Sequence, residues 1–386
     1  MPSANTPVWE DLHWPGLPQL DQDVTADACV VGLGGSGLTA LSELLTMGLT
    51  VVGIDAADVG AGAAGRNGGF LLSGTADYHH DAVSALGHDV ALRIHHLTVE
   101  EIGRIAEQAP GTVRRSGSMR LAGTDDEFED CVRQRDAMRR DAIAVEDYDG
   151  PFGRGIFMAG DASFNPLARC RALAADLRRR GARLFSATPA LSFDEGVVVT
   201  PRGRVECDRT IVAVDGGLET LLPELTGTVR TARLQMIATA PTREVSLPCP
   251  MSARYGYDYW QQLPDGSIAL GGGRDLLMEG EWTESAEPTA AGRAYLEGVL
   301  RSRLRVQAAV THHWAANVSY SVTPVPLLAE VRPRLWAIGG YSGTGNVIGA
   351  LAGRAVARVA GGEPSEFATL LSHHAPQEYV QWSPLA

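Results

Sequence analysis

The residues whose types and spacing suggest chemistry begin at Gly32. An apolar run, Ala28 to Val31, leads into Gly32-Leu33-Gly34-Gly35-Ser36-Gly37; a helix-like spacing of Leu38, Leu41, Leu44 and Leu45 follows, then Gly48 and a second apolar run ending in Asp55. That order is strand, glycine turn, helix, strand, acid. Gly32 allows a tight turn off the strand, Gly34 lets backbone approach a pyrophosphate, and Gly37 lets the helix pack closely on the sheet. The free amides around Gly35 and Ser36, and the positive end of the helix dipole, face the phosphates. The Asp55 carboxylate can accept from a ribose 2'-hydroxyl and repels a 2'-phosphate, so FAD or NAD is expected over NADP. The competing reading is a packing turn of an unrelated βαβ unit.

The remaining elements must position that unit. Residues 1 to about 27 are rich in Pro, Asp and Trp without periodicity; they are expected to drape over the surface, with Trp9 and Trp14 as anchors. Helical spacing covers 86–109 and 125–142, and 113–122 reads as extended. Asn165-Pro166 is an N-cap with proline at the first helical position. Leu167, Cys170, Leu173, Ala174 and Leu177 make the apolar stripe, and Arg178 to Arg180 suit the negative C-terminal end before Gly181. Strands are expected at 183–185, 191–193, 197–200, 204–207 and 210–214, the last ending in Asp215-Gly216-Gly217. Further on, alternation through Arg254 to Leu263 places Tyr255, Tyr257, Tyr259 and Gln261 on one strand face, and the Pro264-Asp265-Gly266 turn closes a hairpin. That face is either a cavity wall or an ordinary sheet surface. The last motif is a strand from Arg334, a loop Gly339 to Asn346, and an apolar helix from about Val347 to Ala360.

A chain of 386 residues can bury a large core and divides naturally into two domains. With 45% hydrophobic and 20% charged residues its composition is that of an ordinary soluble protein. A net charge of -13 lacks the electrostatic footprint of a nucleic-acid or anionic-membrane binder. The start does not resemble a signal peptide, and no apolar stretch reaches the roughly 20 residues of a membrane span, so a cytoplasmic location is expected. Cys29, Cys131, Cys170, Cys207 and Cys249 are scattered and read as buried small hydrophobes. The pairs His79-His80 and His95-His96 diverge on a helix and lack a third ligand at useful spacing, so no metal site is expected.

The run from Ala56 to Phe70 is almost all small residues and contains Arg66-Asn67-Gly68-Gly69. An acid-ended second strand followed by this loop resembles the FAD-dependent D-amino-acid oxidase and glycine oxidase (DAO) family, particularly its gamma-glutamylputrescine oxidoreductase-like amine oxidases. The resemblance implies an α/β FAD-binding Rossmann-type domain (24–84, 151–225 and 323–365). An α+β substrate domain on a mostly antiparallel sheet (85–150 and 226–322) is interleaved with it, in a glutathione-reductase-like/DAO fold. Residues 1–23 and 366–386 become peripheral tails. It further implies that Ala56, Ala63, Ala64, Arg66, Asn67, Gly68 and Gly69 lie along the cofactor, with alanine at 64 where the family commonly has serine. Ala187, Thr188 and Pro189 approach the adenine side; Asp215 and Gly216 end a strand at the cofactor. Gly340, Tyr341, Ser342, Gly343, Thr344, Gly345 and Asn346 meet the flavin pyrimidine edge, and with no cysteine near Thr344 the FAD is expected to be non-covalent. Arg66 is expected at the flavin N5 and O4 edge or in a structural ion pair. Asp215 faces the cofactor or caps Leu218.

The implied reaction is hydride transfer from the carbon beside a neutral amine, giving an imine that hydrolyses, with dioxygen reduced to hydrogen peroxide. Tyr257, Tyr259 and Gln261 are the candidate substrate contacts, followed by His313 and Trp314; a structural role competes for His313. No arginine lies inside the 255–263 run, although Arg254 precedes it and Arg274 follows the next strand. This favours an amine substrate, held by an aromatic box worth about 0.5–2 kcal/mol, over an amino acid. An amino-acid oxidase or dehydrogenase and a non-catalytic flavin-binding protein are the alternatives.

Overall fold

The computed structural model describes residues 5–10, 13–372 and 374. Strands Val24–Val31 and Val51–Ile54 pair in parallel with Val31 opposite Ile54, and helix Gly35–Thr46 crosses between them. Val31 is also level with Val212 of the strand Arg204–Val212. Three strand ends therefore finish flush beneath Gly32, and in an open parallel sheet the crevice outside such carboxyl ends is where a ligand sits. Arg183–Phe185 extends the sheet beyond Val51–Ile54; Leu335–Gly339 and then Leu327–Arg332 extend it beyond Arg204–Val212. The expected breaks at 207 and 210 do not occur, because Arg204–Val212 pairs without interruption along most of Val24–Val31.

Helices Gly35–Thr46, Pro166–Arg179 and Ile348–Ala360 share one face of this sheet, burying Leu38, Leu41, Leu173, Leu177, Leu351 and Val356 together. Each large aliphatic side chain so buried contributes about 1.5–3 kcal/mol. The helix at 166 starts where its sequence says: the Asn165 side chain accepts from the Ala168 N–H at 3.0 Å.

The second sheet has eight strands in the order Val310–Ser321, Val229–Thr239, Ile268–Gly272, Asp258–Gln262, Met251–Ala253, Ser118–Leu121, Gly153–Met158, Glu146–Gly150. All neighbours are antiparallel except Met251–Ala253 with Ser118–Leu121. Glu146–Gly150 and Gly153–Met158 form a hairpin, so the chain stays in this sheet past the 150/151 division expected from sequence. Between the two sheets lies a small third one, Phe70–Leu71 and Val113–Arg114 flanking Ala162–Phe164. The described residues before Asp23 form a strap over both sheets, and Glu366–Ser372 is a helix burying Phe367 and Leu371. The expected tail residues 1–4 and 375–386 lie outside the described residues. Among the described residues no helix is long and apolar enough to cross a membrane.

Candidate active site

Two glycines fix the turn off the first strand. Gly32 has φ +107°, and a Cβ there would stand 2.5 Å from the Ala213 carbonyl oxygen; a Cβ on Gly37 would run into the Gly32 carbonyl oxygen. Gly34 caps the helix without a side-chain hydrogen bond, and the first turn holds no acid. The helix N-terminus is thus open to an anion. Asp55 pins the turn from the neighbouring strand: its Oδ2 accepts from Leu33 N–H at 2.7 Å and its Oδ1 from Ala57 N–H at 2.8 Å. Burial raises its pKa against those stabilising bonds. The lone pairs left over can serve a ribose hydroxyl. Ala56 beside it is exposed.

The small-residue loop folds back over this turn. Gly60 N–H donates to the Leu33 carbonyl at 3.0 Å, and Ala64 Cβ lies 3.2 Å from where a Gly34 Cβ would be. Asn67 is the hub: its Nδ2 donates to the carbonyls of Ala63 and Ala64 at 3.0 Å each, while its Oδ1 accepts from Gly69 N–H at 2.8 Å. Asn67 and Asn346 also bond reciprocally, at 2.9 and 3.0 Å, and Asn346 donates to the Phe70 carbonyl at 2.8 Å. Segments 279 residues apart are therefore locked side chain to side chain.

Asp215 holds the late loop from a third direction. Its Oδ1 accepts from Gly340 N–H at 3.0 Å, its Oδ2 from Ser319 N–H at 3.2 Å, and its carbonyl accepts from Leu218 N–H at 3.1 Å. The bond to Leu218 is a backbone turn and not a side-chain cap, since the short helix Leu218–Leu221 is capped at Gly217 without a side-chain hydrogen bond, and the Asp215 carboxylate is turned to the late loop instead. Desolvation pushes its carboxyl up to about 7. Gly216 packs against the Asn317 carbonyl. Within the loop, Ser342 N–H donates to Ser319 O at 3.1 Å and Thr344 N–H to Tyr341 O at 2.9 Å. Gly340, Ser342 and Gly343 take positive φ. Tyr341 packs its ring over Gly345 and Gly349, and its buried hydroxyl lies beside the Ser36 side chain without making a hydrogen bond of good geometry. At the opposite end, Ala187 N–H donates to Ala57 O and Thr188 N–H to Asp55 O, both at 2.7 Å, with Pro189 half-buried beside them. The Thr188 hydroxyl is occupied by Ser186 O and Leu20 N–H, so this segment offers backbone only.

The strand Asp258–Gln262 supplies a roof. Tyr259 lies against Gly68, 3.0 Å from a Cβ placed there, and meets Phe70 edge-on with centroids 6.0 Å apart. Burial raises its pKa, keeping the phenol neutral. Gln261 donates to the carbonyls of Gly68 and Gly69 at 2.5 and 3.1 Å. It is a loop holder, with its amide nitrogen consumed by the protein. The expected four-residue face does not form: Arg254 and Tyr255 have positive φ, Gly256 completes a turn, and only Tyr259 and Gln261 alternate on the strand. Tyr255 instead bonds Asp130 through its hydroxyl.

Trp314 is 0% exposed and packs with Trp9, Leu167 and Met236, its indole N–H donating to Arg66 O at 2.7 Å. With no accessible surface it buttresses the loop and touches no substrate. His313 pairs with Ile237, whose side chain lies in the cluster of Leu296 and Leu300, and Arg293 and Glu297 act on it. It therefore sits on the helix side of the sheet, away from Tyr259. Arg66 donates Nε to Ala315 O at 2.8 Å and Nη2 to Asn5 O at 2.6 Å and to Asn5 Oδ1. Those donors fasten the strap, which Trp9 joins through its indole N–H to Asn67 O at 2.9 Å.

An uncapped helix start, an acid at the neighbouring strand end and three convergent loops fit a dinucleotide. Residues 27–359 match the family described as "FAD dependent oxidoreductase" (DAO). The chain belongs to that family. It is similar, at 26% identity over 91% of this chain and 87% of the relative, to the probable oxidoreductase OrdL of Rhizobium meliloti (strain 1021). It is also 24% identical to the gamma-glutamylputrescine oxidoreductase of Escherichia coli (strain K12), over 90% of this chain and 86% of that one. Among solved structures, glycine oxidase from Geobacillus kaustophilus superposes with a TM-score of 0.74 at 19% identity, covering 89% of this chain and 96% of the other.

One part of this FAD-dependent oxidoreductase escaped sequence reasoning. The Arg274 guanidinium lies 4.3 Å from the Tyr320 ring centroid, 5.2 Å from Trp282 and 5.5 Å from Tyr257. A second guanidinium, that of Arg230, lies 4.3 Å from the centroid of the same Trp282 ring. Tyr320 in turn bridges to Tyr341 of the late loop. The rings come from three separate segments, so no local spacing announces the cluster; Arg274 itself was visible only as a basic residue following a strand.

Proposed function

We propose that this oxidoreductase oxidises the C–N bond of an amine that also carries a carboxylate, an amino acid or an N-substituted relative of one, with non-covalent FAD and dioxygen as acceptor. The observation that carries the reading is Arg274. An aromatic box open to solvent attracts an ammonium group, but here the rings of Tyr257, Tyr320 and Trp282 already surround a cation of the chain itself. Arg274 makes no ion pair among the described residues and Arg230 lies over the same Trp282 ring, so a further cation is repelled there and a carboxylate gains a guanidinium that no acid holds. The amine end is then turned toward Tyr259, whose neutral phenol accepts or donates a hydrogen bond.

Bound FAD supplies the acceptor for the hydride that leaves the carbon beside nitrogen. The protein's task is to desolvate and orient that carbon. Tyr259 and Phe70 wall the space beside Gly68. The 33 basic side chains are all arginine, so the chain has no lysine to capture the carbonyl product as a Schiff base. The Escherichia coli relative's name points to a substrate that carries both amine and carboxylate groups, which the pairing of a guanidinium at Arg274 with a phenol at Tyr259 would suit.

Anaerobic bleaching of the flavin absorbance tests this. Amino acids and N-substituted amino acids are expected to bleach it where their decarboxylated analogues do not, and Arg274→Met should raise KM for the carboxylate substrate about 10- to 100-fold. Equal bleaching by the decarboxylated analogue would return the reading to a plain amine oxidase.

A further inference from the structure

Helix Pro166–Arg179 buries an arginine where its amphipathic face calls for an apolar residue. Arg169 is 2% exposed, flanked on that face by Leu167, Cys170 and Leu173. Burial drives its pKa down. Its Nε is buried without a partner among the described residues, and Nη2 makes only a 3.5 Å contact to Thr39 Oγ1. A buried charge without a counter-ion is costly, and folded proteins retain one only where something else compensates it.

The nearest acid does not do so. Glu101 acts on Arg169 from a distance, but its carboxylate is engaged by Arg354 at 3.0 Å and by Arg104 at 3.1 Å. Arg354 adds a repulsive charge of its own. Arg169 makes no ion pair among the described residues.

Its direction supplies the missing partner. Arg169 Nη1 lies 3.0 Å from where a Cβ on Gly35 would stand. Gly35 is the first residue of the uncapped, acid-free helix of the glycine motif. A side chain's Cβ leans toward the N-terminus of its helix, so the guanidinium lies on the side of the first turn nearest the open amides. Two positive features, a helix N-terminus and an arginine, are thus pressed together inside low-dielectric surroundings. They are compatible only when an anion of more than one charge joins them.

We propose that Arg169 is the counter-charge of the dinucleotide's diphosphate. It reaches the glycine motif from the helix after the third small sheet, outside the βαβ unit. The inference rests on FAD binding, which family membership carries, and is independent of the substrate reading. It makes the flavin-free chain electrostatically incomplete at Arg169 and the loaded chain complete.

That asymmetry gives opposite signs in one variant. In Arg169→Met, FAD affinity should fall about 10- to 100-fold, the range for losing a charge-assisted contact, measured by titrating flavin-stripped full-length protein with FAD. The melting temperature of the same flavin-free variant should stay level or rise, because an uncompensated buried cation is gone. Inorganic pyrophosphate should stabilise the wild-type flavin-free chain more than the variant. If Arg169 is only structural, flavin-free stability falls while FAD affinity is kept, and the proposal is overturned. Should Arg169→Met not fold, Arg169→Gln is titrated instead: weakened FAD binding with the pyrophosphate response lost supports the proposal, and unchanged FAD affinity overturns it.

Discussion

The reciprocal pair Asn67–Asn346 offers the sharpest test of whether the early and late loops act as one unit. Asn67→Ala removes its bonds to Ala63 O, Ala64 O, Gly69 N–H and both bonds to Asn346. Asn346→Ala removes those same two shared bonds and the one to Phe70 O. At about 1 kcal/mol net for a part-buried neutral hydrogen bond, with some donors regaining water, the first change should cost about 3–4 kcal/mol and the second about 2–3 kcal/mol. The two shared bonds are counted in both single variants but are lost only once in the double. The double variant should therefore be less damaged than the sum of the singles by about 2 kcal/mol. Urea unfolding of the four flavin-free proteins, followed by intrinsic fluorescence, measures the cycle; FAD affinity should show a coupling of the same sign. Additivity within about 0.5 kcal/mol would mean that the loops are held independently, and the argument for a jointly built cradle would fail.

Asp215 predicts a pH dependence. Its folded carboxyl is raised from 3.8 to about 7 by burial, so between those values the folded chain binds more protons than the unfolded one. The stability it contributes is complete below about pH 4 and is lost as pH rises through 7. Asp215→Asn should flatten that fall, by about 4 kcal/mol at most, and a wild-type urea midpoint that climbs steadily from pH 4 to 7 relative to the variant would contradict the assignment. Trp9→Ala should lower the melting temperature by an amount equivalent to about 3 kcal/mol and speed FAD release, since it removes the strap's contact with Trp314 and its bond to Asn67; flavin release at the wild-type rate would show the strap to be independent of the loop.

The fold was legible because its signals are local. Glycine spacing, two apolar runs and a terminal acid specify a βαβ unit within 30 residues, and Asn165-Pro166 announces a helix start that the Ala168 N–H then confirms. Side-chain direction was less legible. The tyrosine alternation is interrupted by left-handed backbone at Arg254 and Tyr255, a conformation that those residue types do not advertise. Gln261 and Trp314 sit in the right strands, but their polar atoms are drawn to carbonyls of Gly68 and Arg66, partners almost 200 residues or more away. The strap was legible in outline, with Trp9 and Trp14 anchoring it as expected, but its partners were not: Trp9 is held by the Asn67 carbonyl, Trp14 by Asp58 and Asn5 by the Arg66 side chain, none of which any periodicity announces. Helical spacing marked the buried face of 166–179, yet it cannot say that one position on that face holds a charge.

Three arginines near the cradle show how this acidic chain deploys positive charge. With a net charge of -13 the molecule's long-range field repels anions, so an anionic ligand must be held by cations that have not already been neutralised. Arg66 has committed Nε and Nη2 to Ala315 and Asn5, and its charge is spent on architecture. Arg274 and Arg169 differ from the arginines of the helical surfaces, such as Arg93 and Arg354, which are each fixed to glutamates. One is kept free by surrounding it with ring faces, the other by burying it beside a helix N-terminus where no acid follows. Each solution attracts an anion without supplying one from the protein. The two differ in what the anion must be: Arg274, ringed by aromatics beside Tyr257, which is 37% exposed, suits a group that comes and goes with turnover, whereas Arg169, buried beside the first turn of the glycine-motif helix, suits one that stays.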